Sequence, residues 1–403
     1  MRAYNLFTEE IDFVDDAVAE LKAEFDRKVA PDGLLSHTAA ILYTDSVLDI
    51  SAFLEEFRKE FSFPVLGCSG MTMFDRSNGV SRSGICLLLL TADDLEFASA
   101  ITGELERQTM EQELRRAYEQ GILSLGKTPG LIILFGDTMN ICPGDDLVEE
   151  MNRISGNVTL FGGISASALD SETSYVFNEK NAGSGRTAML LLAGEGLQNA
   201  LFRYEMSVEN TDICAGEVTE VVNDWAVGQL DGDSFLERMK QSGIESGAEE
   251  TDYIFKYISN PFVVTRQMEN DDKIVMLRNI VNIDSADGSG LFAGRIPKGS
   301  HISMGAISKE TVADSSKAAF EHVLQLAKER GIQPSAFLCV SCKARYFNLS
   351  AERCEEVDAY DQVLDPDTAL IGMYSQGEIC PKASSSGGFF NIYHNSTIAI
   401  LAL

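Results

Sequence analysis

The chain has 403 residues, with 62 acidic against 32 basic side chains and a formal charge of −30. That charge repels the phosphate backbone of nucleic acid and sets the chain against an anionic membrane surface, so both drop out as partners. Apolar residues at 45% and charged residues at 23% are the composition of a globular protein of two or three domains.

The amino terminus, Met1 to Phe7 followed by Glu9 and Glu10, has neither signal-peptide nor transit-peptide character. The longest apolar runs, 85–90 and 131–135, are far short of the roughly 20 residues that span a bilayer. Eight scattered cysteines without an export signal predict reduced thiols in the cytoplasm rather than a disulfide framework.

In chain order, Ile11, Val14, Val18, Leu21 and Phe25 recur at steps of three and four and predict an amphipathic helix. Strands are expected at 39–43, 64–67, 84–91, 131–135, 158–161 and 187–192, with helices over 47–61, 104–120 and 145–154. The pattern pauses near Gly194-Glu195-Gly196, which puts a boundary between a first half, 1–198, and a second, 199–403. The second half offers strands from 201–208, a helix at 233–239, a strand at 261–266, a long helix at 314–330, and closing strands at 335–341, 369–374 and 397–401. The expected class is α+β: two mixed α/β halves, their sheets packed face to face with helices on the outer layers.

Several motifs resemble chemistry. Gly121 to Thr128 fits the phosphate-loop pattern, but a helix precedes it and a strand follows, the reverse of what phosphate binding needs. A helix end capped through Gly126 is the preferred reading. Cys339-Val340-Ser341-Cys342 has the spacing of a metal or redox pair, yet in a strand positions three apart point to opposite faces. No metal site is expected. Cys342 stands out singly because Lys343 and Arg345 beside it could favour its thiolate. The four histidines show no metal-binding spacing, and no serine-hydrolase elbow occurs.

The last quarter places polar groups at successive strand ends. They occur in Cys342-Lys343-Ala344-Arg345, in 372–381 with Tyr374, Gly377 and Glu378, and in Tyr393-His394-Asn395-Ser396-Thr397. Arg345, Tyr374, Glu378, His394 and Asn395 could converge on one pocket, of the kind that binds small ligands. The competing reading pairs Glu378 with Arg345 or Arg278 as a structural ion pair and uses His394 and Asn395 on backbone groups.

These segments, in this order, resemble the C-terminal domain of FIST proteins, the family named for F-box and intracellular signal transduction proteins. Leu230-Asp231-Gly232, Leu277-Arg278 and the stretch from Gly288 to Gly299 follow the family's order as well. Leu66-Gly67-Cys68-Ser69 and Phe161-Gly162-Gly163-Ile164-Ser165-Ala166 look like the glycine turns of its N-terminal domain. Two departures are Ser167-Ala168-Leu169 before Asp170, where the family often has acids, and Asn223-Asp224-Trp225 in place of a plainer turn. The resemblance implies a FIST N-terminal domain over 1–198 and a FIST C-terminal domain over 199–403. It further implies a cytoplasmic sensory input protein, not an enzyme, with an amino acid or related small polar metabolite as ligand. The ligand-binding candidates are Gly67, Cys68, Ser69, Gly162, Gly163, Arg278, Cys342, Arg345, Tyr374, Gly377, Glu378, His394 and Asn395. Because the sequence ends at Leu403 directly after a strand, no output domain is expected, and a signal would pass to a separate histidine kinase or other signalling protein. Some bacterial members bind haem and sense nitric oxide, which would make His394 the axial ligand; a thiol enzyme using Cys68 or Cys342 is the remaining alternative.

Overall fold

The computed structural model describes residues 1–138, 141–167, 173–244, 256–267, 272–350, 354–385 and 387–403. It shows the expected α+β class, but the expected pair of halves with sheets face to face is corrected: one unit of structure recurs three times, and its hairpins are exchanged between three sheets.

The first repeat runs β1 (Arg2–Thr8), α1 (Val14–Lys28), β2 (His37–Thr44), α2 (Ile50–Glu60), β3 (Val65–Ser69), the hairpin β4 (Met73–Asp75) and β5 (Gly79–Ser81), and β6 (Ile85–Ala92). The second runs β7 (Glu96–Ile101), α3 (Met110–Leu125), β8 (Leu131–Gly136), α4 (Gly144–Ser155), β9 (Thr159–Ile164), the hairpin β10 (Val176–Asn178) and β11 (Ala182–Gly183), and β12 (Thr187–Ala193). The third begins with β13 (Leu201–Met206) and is then interrupted by an insert. That insert holds β14 (Glu209–Asn210), β15 (Gly216–Asn223), β16 (Ala226–Leu230), β17 (Asp233–Ser234), α5 (Phe235–Gln241), β18 (Phe262–Gln267), β19 (Lys273–Arg278), β20 (Ile280–Ile283), β21 (Gly290–Phe292) and β22 (His301–Ala306). The repeat resumes with α6 (Lys309–Arg330), β23 (Ala336–Cys342), α7 (Lys343–Phe347), α8 (Glu355–Asp361), β24 (Ala369–Ser375), the hairpin β25 (Gly377–Ala383) and β26 (Phe389–His394), and β27 (Thr397–Ala402).

The strand orders are β1-β6-β2-β3, β7-β12-β8-β9 and β13-β27-β23-β24, each with one parallel pair, β2·β3, β8·β9 or β23·β24. Each repeat lends its hairpin to another sheet: β4 pairs with β24, β10 with β3, and β25 with β9. The lending closes a circle, so three six-stranded sheets are woven around one approximate threefold axis.

Hydrophobic patterning explains the layering. In β6 every residue from Ile85 to Ala92 is buried: Cys86, Leu88 and Leu90 face the central core shared by all three sheets, while Ile85, Leu87 and Leu89 face α1 and α2. Strands covered on both faces read as continuous apolar runs, which is why this one is legible in the sequence. The helices lie outside. Asp49 caps α2 by accepting from Ala52 N at 3.1 Å, and Ser308 and Thr311 form a capping box on α6. The phosphate-loop look-alike is the end of α3, whose cap residue Gly126 takes a left-handed φ of 70°.

The insert folds around its own cluster, in which Phe235, Phe262 and Phe292 stand mutually 5.3–5.5 Å apart, ring centre to ring centre. It is latched to α4 of the second repeat. Asp145 receives Arg278 Nη2 at 2.8 Å and the Arg295 backbone N–H at 2.9 Å, while Arg295 Nη2 also meets Asp146 at 2.7 Å. Arg107 lies over the ring of Trp225, 5.2 Å from its centre. Trp225 is the sole tryptophan, so its emission reports this docking. Arg295→Ala is expected to cost about 1 kcal/mol and to red-shift Trp225 emission before the core unfolds in urea; coincident emission and circular-dichroism transitions in the variant would refute a separable latch.

Candidate functional site

The carboxyl ends of the three parallel strand pairs meet at the axis. There the repeats are joined by a closed ring of main-chain hydrogen bonds: Met71 N to Tyr374 O (3.1 Å), Gln376 N to Ile164 O (3.0 Å) and Ala166 N to Ser69 O (3.0 Å). Ser69 reinforces the ring, since its hydroxyl donates to Ala166 O at 2.9 Å and accepts from Tyr175 N at 3.0 Å. The ring aligns Ser69, Ile164 and Tyr374 as equivalent positions, and Thr44, Gly136 and Ser341 one strand over, because Gly70 N and Ser165 N bond to Thr44 O and Gly136 O. The residues that leave those strands are then Asp45, Asp137 and Cys342, followed by Ser46, Thr138 and Lys343.

Asp137 is a hub: it accepts from Ser174 Oγ (2.6 Å), Ser165 Oγ (3.2 Å) and Gly185 N (2.7 Å). In the third repeat the sulfur of Cys342 takes that place, with the main-chain N–H groups of Ala344 and Ser396 directed at it. The thiol is nevertheless held well above its ordinary pKa, first by burial and then by Glu378. Lys343, next to it, is partly buried and donates from Nζ to Gln376 Oε1 at 3.2 Å. Burial lowers its pKa, and among the described residues no carboxylate lies within ion-pair distance of it.

The sequence candidates occupy these strand ends but divide among separate buried clusters rather than lining one open pocket. Arg345, with no exposure, is spent internally. Its Nε and Nη2 meet Glu356 Oε1 at 3.0 and 2.6 Å, and its other donors reach Ser207, Ser315 (2.9 Å), Ser316 (2.6 Å) and Val312 O (3.2 Å). Tyr374 lies against the same carboxylate, whose proximity adds to burial in raising the phenol's pKa. Arg278 is likewise spent, on Asp145, Arg295 O, Leu277 O and Tyr393 O. The ion pair of Glu378 with one of these arginines, offered by the competing reading, is therefore corrected: Glu356 partners Arg345, and Asp145 partners Arg278.

Glu378 sits instead among hydroxyls. Ser375 Oγ lies 2.8 Å from its Oε1, and Thr397 Oγ1 and N donate to Oε2 at 2.7 and 3.3 Å. Burial outweighs those bonds and pushes its pKa to about 8. Asn395 Nδ2 donates to Tyr393 Oη at 3.2 Å. His394, wholly buried, packs against Tyr204 with ring centres 4.1 Å apart and has Nε2 3.4 Å from Cys380 O, and burial lowers its pKa to about 3. Covered in this way, His394 does not fit the role of an axial haem ligand. Cys68, closed in the core with Sγ 3.3 Å from Met373 Sδ, also has its thiol pKa pushed well up.

The glycine candidates serve the weave. A Cβ on Gly67 would fall 2.1 Å from the ring of Phe177, where the second repeat's hairpin crosses, and Gly372 meets Phe74 in the same way. On Gly377 it would fall 2.2 Å from Tyr393 Oη, and on Gly163 2.7 Å from Gly377 O, where β25 crosses β9. Gly162 has φ 145° with Leu134 O at 1.8 Å from the Cβ position. Ala168, Leu169 and Asp170 lie outside the described residues.

Sequence reasoning missed Glu356, Asp137 and Gln376, and named Lys343 only as a neighbour. Overlaying the strand exits Thr44-Asp45-Ser46, Gly136-Asp137-Thr138 and Ser341-Cys342-Lys343 exposes the recurring position.

Fold and junction together define a three-repeat α+β protein whose polar groups gather at the carboxyl ends of parallel strands, where ligands sit in sheets of this kind. The sequence matches the FIST N domain over 38–232 and the FIST C domain over 236–381. The chain belongs to the FIST family, whose domains are described as small-ligand sensory domains in signal transduction. No curated protein matches the sequence. Among solved structures, one titled as a cyanuric acid hydrolase from A. caulinodans aligns with 65% of this chain and 79% of its own, at 11% identity and a TM-score of 0.28, a likeness that carries no functional argument. No helix among the described residues is long and apolar enough to cross a membrane.

Proposed function

We propose that this protein is a cytoplasmic sensor that binds a small metabolite bearing a carboxylate, such as an amino acid or related compound, at the junction of the three repeats. Lys343 carries the reading. A cation desolvated without a carboxylate partner is costly, and an anionic ligand group would offset that cost, with Gln376 beside it to accept from an amino group. On a chain of −30, such a local cation is what lets an anion be captured against the overall field. The buried thiols of Cys68, Cys86, Cys142, Cys214, Cys339, Cys342 and Cys380, none of them in a disulfide, suit a reducing compartment. Output passes by contact to a separate signalling protein, a histidine kinase being one candidate.

Thermal-shift screening with amino acids and small carboxylates tests this. A ligand at one hundred times its Kd is expected to add about 2.7 kcal/mol of stability, and Lys343→Met is expected to abolish that gain while leaving the ligand-free protein folded. Stabilisation that survives Lys343→Met refutes the assignment, as does a screen in which no carboxylate stabilises.

A further inference from the structure

Each repeat begins with a strand at the edge of its sheet, and the three edges are treated differently. β1 is tied across its groove by Asn5, whose Nδ2 donates to Leu370 O at 2.6 Å, while Lys28 Nζ donates to Asn5 O at 2.8 Å. β7 is tied to its own hairpin by Asn178 Nδ2 and by Glu179, both on the Ser99 hydroxyl. Among the described strands, β13 pairs with β27 alone. Across its groove the described residues offer the main chain of β13 one weak link, from Cys380 Sγ to Arg203 O at 3.6 Å, while its side chains are held by His322 Nδ1, 2.8 Å from Glu205 Oε1, and by the ring contact of Tyr204 with His394.

The result is a groove of about 550 Å³ running the length of β13, walled by α6 and by the hairpin β25–β26. Phe202, Tyr204 and Pro381 make its apolar lining, and Phe389, 45% exposed, closes on Phe202 with ring centres 5.8 Å apart. Its charged groups are Arg203, Arg330 and Lys382 against Glu205, on which Arg203 and His322 converge. Arg330 and Lys382 have no carboxylate partner among the described residues. A net positive groove on so acidic a chain is complementary to acidic side chains.

We propose that the outer edge of β13 docks an extended segment of a partner protein, added to the sheet as a further strand, with acidic residues alternating with apolar ones. The free main-chain groups of an edge strand supply affinity in this mode, and alternate side chains supply specificity. Apolar side chains of the segment would enter beside Phe202 and Phe389, and its acids would meet Arg330 and Lys382. The surface is distinct from the Lys343 junction and does not depend on the ligand reading.

The test is selection of ten-residue peptides from a random display library on the full chain, followed by fluorescence anisotropy. Acidic sequences with alternating apolar residues are expected to be enriched. Their binding should weaken by at least about tenfold in the double variant Arg330→Glu/Lys382→Glu. N-methylation of alternate peptide amides, which removes strand donors without touching the protein, should weaken it by about tenfold as well. Enrichment of basic peptides, insensitivity to either change, or no enrichment at all would overturn the proposal. A chain that sediments as a dimer broken by the same double variant would assign the edge to a second copy instead, and overturn it equally.

Discussion

Glu378→Gln is expected to be more stable than the parent chain at pH 8, by something on the order of 4 kcal/mol. The cause is a carboxyl held neutral by burial, with a pKa raised from 4.5 to about 8. Between those two values the folded protein keeps a proton that the unfolded chain gives up, so stability is fully present below pH 4.5 and is lost as pH rises toward 8. The surroundings suit the neutral form. Ser375 Oγ can accept the carboxyl proton because it passes its own to Ser341 O, 3.2 Å away, while Thr397 donates to the other oxygen. A glutamine amide reproduces that donor and acceptor without the charge. Urea unfolding from pH 5 to 8 should therefore show the advantage of the variant growing by about 1.4 kcal/mol per pH unit; a difference that does not vary with pH refutes the assignment. His394 acts in the opposite sense, since its pKa falls from 6.5 to about 3, so its contribution is lost as pH drops through that window. The two slopes offset one another between pH 4.5 and 6.5, which leaves the acid arm to His394 and the alkaline arm to Glu378.

Arg345→Met should destabilise the fold by about 3–5 kcal/mol, because it strands a buried carboxylate. Glu356 is 1% exposed and would keep only neutral neighbours, the hydroxyls of Ser316 and Ser341 at 3.0–3.1 Å and the phenol of Tyr374. Arg345→Met/Glu356→Leu should recover most of the loss, since replacing a whole buried pair by apolar groups is often neutral. Chemical denaturation of the four members of the cycle measures this; a double variant no more stable than the single one would show that the seryl contacts of the guanidinium, rather than the ion pair, carry its effect. The same cycle separates structure from ligand binding, because Arg345 has no donor left for a ligand.

The strands buried on both faces, β6, β8 and β23, are legible because each opens with an unbroken apolar run, Ile85 to Leu90, Leu131 to Phe135 and Ala336 to Val340. β1 is not: Arg2 and Asn5 break its pattern, as befits an edge strand whose Asn5 amide is needed across the groove. The hairpins are illegible for a different reason. Three-residue strands such as β4 and β10 gain their partners from sheets built elsewhere in the chain, so no local signal marks them. Threefold recurrence is hidden by the insert between β13 and α6, which separates the first strand of the last repeat from the rest. At the site, polar groups at strand ends were readable one by one. Their partners were not, because Glu356 stands beside Glu355 in an acidic helical turn that reads as a solvated face, yet it is almost wholly enclosed.

The exchanged hairpins bear on how the chain can be dissected. Severing it in the link between β12 and β13 would leave the first fragment without β25–β26 to complete the sheet of β9, and the second without β4–β5 beside β24. Neither fragment then has a finished core, whatever the family boundary near residues 232–236 suggests. Fragments made this way should be insoluble apart and should reassemble when produced together, as complementing halves of one cooperative unit.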